Sequence, residues 1–339
     1  MFHFFKKRFC FAIIYGALLT AFTAFAILDV FVIPKKSKTV DDTNFGNSES
    51  FVVPDSVIYS DNSLTLDDSS SQPDSSSQPD SSSQPDSSET QPKKNIAKIT
   101  DSTYEDDNIS ITITKVRKFD TDIYVADIQV SSVYLLKTAL ADNAYGRNIK
   151  EKTTDIAQEH NAILAINGDY YGFRDKGFVV RNGVAYRGSS NDETSLVIYK
   201  DGSMSFVDEN EADTDELIKN GALQAFSFGP VLIDDGVIPT DELENHWLAQ
   251  NNPRTAIGMV EPLHYVFLVA DGRSGSVNKG LSLANLASVL KEYGCTNAYN
   301  LDGGGSSSIC FNGKLLNNPT SDGENYYERK VSDIVYIGY

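Results

Sequence analysis

Cysteine, histidine, methionine and tryptophan are all scarce in this chain of 339 residues, which holds 3 Cys, 4 His, 3 Met and 1 Trp. Three cysteines cannot build a disulfide scaffold, and no Cys-x-x-Cys pair marks a zinc site. His3, His160, His246 and His264 stand in no Ser-His-Asp order, and there is no Gly-x-Ser-x-Gly elbow. His160 reads as a helix-end residue. Positive charge is short too: 29 Lys and Arg face 47 Asp and Glu, a formal net charge of -18. Such a balance argues against nucleic acid as a partner, because phosphate backbones are bound by a net positive face. Apolar side chains are not lacking. Hydrophobic residues make up 40% and aromatics 11%, enough to exclude disorder along the whole chain.

The chain divides into three parts. In residues 1–33, Lys6, Lys7 and Arg8 precede FCFAIIYGALLTAFTAFAIL (9–28), a run with no charge. About 20 apolar residues cross a bilayer as a helix, and basic flanks stay in the cytoplasm. The expectation is a cytoplasmic tip and a single-pass signal anchor in the cell membrane. Everything after it is then extracytoplasmic. Ala24-Phe25-Ala26 resembles a small-residue cleavage site, and cleavage after Ala26 would release a secreted protein. The length of the run favours the uncleaved anchor. Residues 34–100 read as a disordered linker. SSSQPD occurs in tandem at 69–74, 75–80 and 81–86, and this repeat has no apolar face to bury. A stalk is the plain interpretation.

Residues 101–339 read as one folded domain of mixed α/β (α+β) class, a mixed sheet with packed helices. ISITIT (109–114) alternates with period 2, and DIYVADIQV (122–130) follows it. Thr153–His160 reads as a helix capped by Thr153 or Thr154. Hairpins are expected around Asn182-Gly183, Asp201-Gly202 and Asn312-Gly313. Leu283, Leu286, Ala287 and Leu290 share one face of a helix that Ser282 caps and Gly294 ends. HYVFLVA (264–270), this helix and NAYNL (297–301) together look like a crossover joining a parallel pair.

Three apolar strands end beside Asp and Gly: AILAI leads to Asn167-Gly168-Asp169, HYVFLVA to Asp271-Gly272-Arg273, and NAYNL to Asp302-Gly303-Gly304-Gly305-Ser306. Arg254 opens a fourth strand. Ligand groups gather at strand ends in open sheets. A single Asp-Gly is more often a turn, but three successive glycines carry an ordering cost and no packing side chain, so an anion-cradling bend is expected there. Two Asp can act as acid, base or nucleophile on a glycosidic bond, and Arg254 can grip a phosphate bidentately. The competing assignment is a divalent metal held by the carboxylates. No cofactor is firmly implied, and metal ligands cannot be assigned. Cys295 and Cys310 fit either a disulfide or two buried thiols. Trp247 and some Tyr and Phe are candidates for stacking on sugar faces.

The motifs NGDYYGFR (167–174), GFVVRNGVAYR (177–187), NNPRTAIGM (251–259), DGRSGSVNKGLSL (271–283) and YNLDGGGSSS (299–308) resemble, in consistent order, those of the phosphodiester glycosidase family. That family includes N-acetylglucosamine-1-phosphodiester α-N-acetylglucosaminidase and bacterial proteins described as exopolysaccharide-related. The likeness covers about residues 120–339. It implies hydrolysis of a sugar-1-phosphodiester at the glycosidic C–O bond. It also implies site positions at Asn167, Gly168, Asp169, Arg254, Asp271, Arg273, Asp302, Gly303, Gly304 and Ser306. On this basis Asp271 and Asp302 are the expected catalytic carboxylates and Arg254 the phosphate clamp. Asn167 and Asp169 would then position sugar hydroxyls. The expected substrate is a carbohydrate phosphodiester of a wall glycopolymer or exopolysaccharide. The rival readings are a non-catalytic wall-binding module and a metal-dependent phosphodiesterase that cleaves P–O.

Overall fold

Alternation lays out the largest sheet. Ile109, Ile111 and Ile113 are buried while Ser110, Thr112 and Thr114 face out along Ile109–Lys118. Phe119 and Asp120 both take positive φ, 51° and 54°. They form the tight connection that a right-twisted hairpin needs, and the chain returns along Thr121–Val130. The structure, a computed structural model, describes residues 2–40, 45, 56–59, 96–275 and 277–339. The SSSQPD repeats of the expected stalk lie outside the described residues.

Nine strands form this sheet in the order Val231–Ile233, Asn297–Asn300, Arg254–Glu261, His264–Ala270, Thr121–Val130, Ile109–Lys118, Thr103–Glu105, Ile96–Ile99 and Ser56–Tyr59. The His264–Ala270 and Asn297–Asn300 strands do point the same way, as a crossover requires. They are not neighbours, however. Arg254–Glu261 lies between them, antiparallel to both. The short turn at Glu261–His264 makes Arg254–Glu261 the hairpin partner of the next strand, so it fills the slot that a parallel pair would close.

A second sheet runs Lys314–Leu315, Ile309–Phe311, Leu164–Asn167, Asp333–Ile337 and Leu136–Leu140. A third runs Val184–Arg187, Val179–Arg181, Ala222–Phe226, Thr194–Tyr199 and Met204–Asp208. The three expected Asn-Gly and Asp-Gly hairpins are all present. The helix Leu283–Glu292 packs Leu283, Leu286, Ala287 and Leu290, each 0% exposed, on one face of the large sheet. Burial of each leucine contributes about 2 kcal/mol. Ser282 Oγ accepts the Asn285 amide at 3.1 Å as its cap.

The helix Thr153–Glu159 starts differently from expectation. Its N-cap is Lys152. Thr154 turns outward, and its amide and hydroxyl donate to Glu328 at 2.8 and 2.6 Å. A carboxylate from a distant loop thus does the work expected of a threonine. His160 sits at the helix end, as expected.

The segment 34–100 also departs from the plain linker reading at its edges. Lys35–Thr39 pairs antiparallel with Ala144–Arg147. Ile96–Ile99 joins the large sheet with Ala97 and Ile99 buried. Two apolar residues at spacing 2 suffice to seat a short strand on an existing edge. Cys295 and Cys310 are free buried thiols in separate clusters, not a disulfide.

Candidate active site

Two adjoining cavities, of about 490 and 290 Å³, share Tyr170, Asp302 and Arg329 in their walls. The larger is lined by Lys150, Asp169, Phe173, Ser306 and residues 327–332. The smaller is lined by Arg254, Arg273, Gly303, Gly304, Asn252, Phe228 and Trp247. Strand ends deliver these groups. Asp169 follows Leu164–Asn167, Asp302 follows Asn297–Asn300, and Arg254 opens Arg254–Glu261. The Asp302 amide donates to the Gly168 carbonyl at 3.2 Å, which ties two of these ends together.

Two of the carboxylates in the larger cavity, Asp302 and Asp169, have opposite electrostatics. Asp302 has its pKa raised, mainly by burial, with the nearby Asp169 charge adding to it; Arg329 and the Ser306 hydroxyl oppose the rise. Asp169 is lowered. Burial pushes it up, but Arg174, Arg181 and the amides of Ser227 and Tyr170 outweigh burial. Its Oδ1 accepts from Arg174 and from the Tyr170 amide, and its Oδ2 accepts the Ser227 amide at 3.0 Å. Behind it, Asp333 Oδ1 accepts the Asp169 amide at 2.9 Å, and Asp333 Oδ2 accepts Arg181 Nε at 2.8 Å. Burial pushes Asp333 up to about 6, against the pull of Arg181. Arg181 lies between the rings of Phe226 and Tyr171, 4.2 and 5.8 Å from their centroids.

Three guanidiniums reach the smaller cavity. Arg254 is anchored by backbone carbonyls: Nε donates to Leu281 at 2.9 Å, and Nη2 to Leu248 and Gln250 at 2.5 and 2.6 Å. Burial, then the Arg273 charge, lower its pKa to about 10, so it stays cationic at neutral pH. Arg273 donates to Asn252 Oδ1 at 3.1 Å and to the Ser321 carbonyl at 2.9 Å. Among the described residues, neither Arg254 nor Arg273 forms an ion pair. Held by neutral carbonyls, both keep their charge for an anion. Arg329 is the third, and it contacts Asp302 and Ser306.

The glycine run is needed for packing. A Cβ on Gly303 would stand 2.8 Å from the Pro253 carbonyl oxygen, and Gly304 holds φ at +62°. The Gly304 amide already donates to that carbonyl at 2.9 Å. The bend therefore seats Asp302 against the Pro253-Arg254 backbone. The expected anion cradle loses that amide, and the guanidiniums supply positive charge in its place.

Of the expected site residues, Asp169, Asp302 and Ser306 meet in the larger cavity, and Arg254, Arg273, Gly303 and Gly304 in the smaller. Asp271 is not among them. Its Oδ1 accepts Asn317 Nδ2 at 3.1 Å and the Asn318 amide at 3.0 Å, away from both cavities. The reason is strand alternation. Arg254 pairs in register with Ala270, which packs under the helix, so Asp271, the next residue, turns to the opposite face. Asn167 is also internal. It is 0% exposed, and it donates to the Asp302 carbonyl at 2.7 Å and accepts from Thr255 and Ser308. It braces strand ends and lines neither cavity. Gly168 packs on Asp333, where a Cβ would approach within 2.5 Å of Oδ1. Sequence reasoning missed Arg329, Lys150, Tyr170 and Arg181. The motif NGDYYGFR held Tyr170 in view, but nothing near Arg329 marked it, since Glu-Arg-Lys reads as a solvated loop.

Among the described residues, no group of three or more His, Cys, Asp or Glu side chains gathers as a metal site. Strand-end acids thus stand beside Arg254 and Arg273, which form no ion pair among the described residues, at one end of a mixed α/β sheet. A family profile described as phosphodiester glycosidase matches residues 160–338, and the chain belongs to that family. The SPbeta prophage-derived uncharacterized protein YomE of Bacillus subtilis strain 168 is 31% identical over 256 residues, 71% of this chain and 38% of YomE. The chain thus spans well under half the length of that relative. The solved catalytic domain of zebrafish N-acetylglucosamine-1-phosphodiester α-N-acetylglucosaminidase, auto-inhibited by its pro-peptide, aligns with a TM-score of 0.55 at 21% identity. The alignment covers 68% of this chain and 83% of that one.

Proposed function

We propose that this cleft hydrolyses the glycosidic C–O bond of a sugar-1-phosphodiester. The observation that carries the reading is that the carboxylate of Asp302 stands in the wall shared by the cavity that holds Asp169 and the cavity that three guanidiniums reach. The sugar takes the Asp169 side, where Tyr170 and Phe173 stack with centroids 4.7 Å apart. The phosphate takes the Arg254, Arg273 and Arg329 side. Water attacks the anomeric carbon and gives its proton to Asp302. The C–O bond breaks with its electron pair on the phosphate oxygen. Three guanidiniums disperse that charge, so departure needs no proton from the protein. A base with a raised pKa suits this role near neutral pH. Asp169, kept ionised, faces the positive charge that develops on the sugar ring.

Hydrolysis of a GlcNAc-α-1-phosphodiester in oxygen-18 water tests the reading. Label in the released sugar supports it. Label in the phosphate would assign the cleft to a phosphodiesterase. Turnover that survives exhaustive chelation would also separate it from a metal-dependent enzyme. Binding without turnover on a panel of such diesters would leave a carbohydrate-binding module.

The protein is placed at the cell membrane in this reading. Phe11–Val30 is a helical segment of 20 residues with mean hydropathy 2.2, long and apolar enough to cross a bilayer. With Lys6, Lys7 and Arg8 held inside, the folded part is extracytoplasmic, where wall glycopolymers and exopolysaccharide are accessible.

A further inference from the structure

The N-terminal helix does not end in free chain. Asn148, 4% exposed, donates its Nδ2 to the carbonyls of Val30 and Ile33 at 2.9 and 3.2 Å. The Val30 carbonyl is one that a helix end leaves without an internal partner, and Ile33 lies just past the last helical residue, Phe31. The chain then pairs at once with the folded part, Lys35 opposite Arg147 and Thr39 opposite Ala144. The fit is close: a Cβ on Gly146 would stand 1.9 Å from the Lys35 carbonyl oxygen. The helix end is therefore clamped to residues 144–148.

That clamp adjoins the cleft. Lys150, two residues beyond Asn148, lines the larger cavity. The Asn148 amide donates to the Gly172 carbonyl at 3.3 Å, and Gly172 sits in the turn Tyr171–Phe173, whose Phe173 lines the same cavity. Two residues span about 7 Å at most. A helix of 20 residues covers about 30 Å, the hydrocarbon thickness of a bilayer, beyond which the headgroup layer adds roughly 6 Å. Adding the 2.9 Å Asn148–Val30 hydrogen bond and the length of the asparagine side chain, the cavity rim lies within roughly 15 Å of the Val30 end of the helix, whichever way the domain leans. Val32 and Ile33 are exposed at this junction. Lys150 and Lys152 are exposed there too, and form no ion pair among the described residues. Basic side chains at that depth attract anionic headgroups.

We propose that the folded domain is seated on the bilayer, with its cleft at headgroup depth, and that its substrate is a sugar-1-phosphodiester whose aglycone is a lipid in that same bilayer. This rests on the anchor and hydrolase readings above. It replaces the expectation of a domain held off the membrane by a stalk, since the chain re-enters the fold by Lys35, ahead of the repeats.

The test uses the full-length protein in vesicles of phosphatidylcholine and phosphatidylglycerol. In a Lys35→Cys, Arg147→Cys variant, oxidation should form a disulfide that locks the clamp. The locked protein should hydrolyse a GlcNAc-1-phosphodiester with a long alkyl aglycone at the unlocked rate. Failure of the bond to form overturns the proposal. So does a tenfold or larger loss on the alkyl diester with a water-soluble diester still turned over. If neither diester is cleaved by the parent protein, the hydrolase reading fails, and docking is read separately. A nitroxide on Lys152→Cys should be strongly relaxed by nickel chelated to lipid headgroups. Relaxation no stronger than that from the same chelate free in solution overturns the docking.

Discussion

Arg329 Nη2 lies 3.3 Å from Asp302 Oδ2, and Arg329 Nε donates to Ser306 Oγ at 2.9 Å. One side chain thus controls both the charge of the candidate base and the hydroxyl beside it. Asp302→Asn should lower kcat by about two to four orders of magnitude, the usual worth of a proton-transfer group. The thermal midpoint should change little. Turnover close to that of the parent would remove Asp302 from the chemistry.

Arg329→Gln removes a cation that holds the Asp302 pKa down. The Asp302 carboxyl should then ionise at higher pH than in the parent. If Asp302 acts as the proposed base, the acidic limb of the kcat profile should move to higher pH. An unmoved limb, measured on a soluble diester, would separate Arg329 from Asp302 in function.

Asp271→Asn should leave kcat within a few-fold of the parent. The substitution keeps an acceptor for the Asn317 and Asn318 groups, so the stability change should be about 1 kcal/mol. A loss of several orders of magnitude in kcat with an unchanged melting curve would return Asp271 to the mechanism.

Asp333 titrates in the fold at about 6, against an ordinary 3.8, chiefly because it is buried. Its folded form holds a proton more readily than the unfolded chain does. The stability it contributes is therefore full below the ordinary value and is lost as pH rises through about 6. Asp333→Asn should flatten the pH dependence of unfolding free energy across that window. Equal slopes in denaturant titrations of the two proteins would exclude Asp333 as the titrating group.

The sequence showed the local devices well. Asn182-Gly183, Asp201-Gly202 and Asn312-Gly313 marked true hairpins, and Ser282 with the leucine stripe marked a true helix, because turn chemistry and periodicity act over a few residues. The site was legible as strand-end acids and Arg254, but the facing of those acids was not. Asp271 and Arg254 border the same sheet end and turn to opposite sides, a consequence of a register between strands that no single segment contains. Arg329 was invisible for a related reason. It reaches Asp302 across 27 positions of chain from an otherwise ordinary loop. The short strand Lys35–Thr39 is polar and exposed throughout, so nothing in its composition separated it from a linker.

Gly303 touches the backbone of Pro253, one residue before Arg254. A side chain introduced there would meet the Pro253 carbonyl first and push the arginine's own main chain aside. Variants at this glycine would mimic loss of Arg254 while its guanidinium was still present in the chain. In a mutational survey of this protein, an inactive enzyme would therefore be poor proof that the altered residue ever met the ligand.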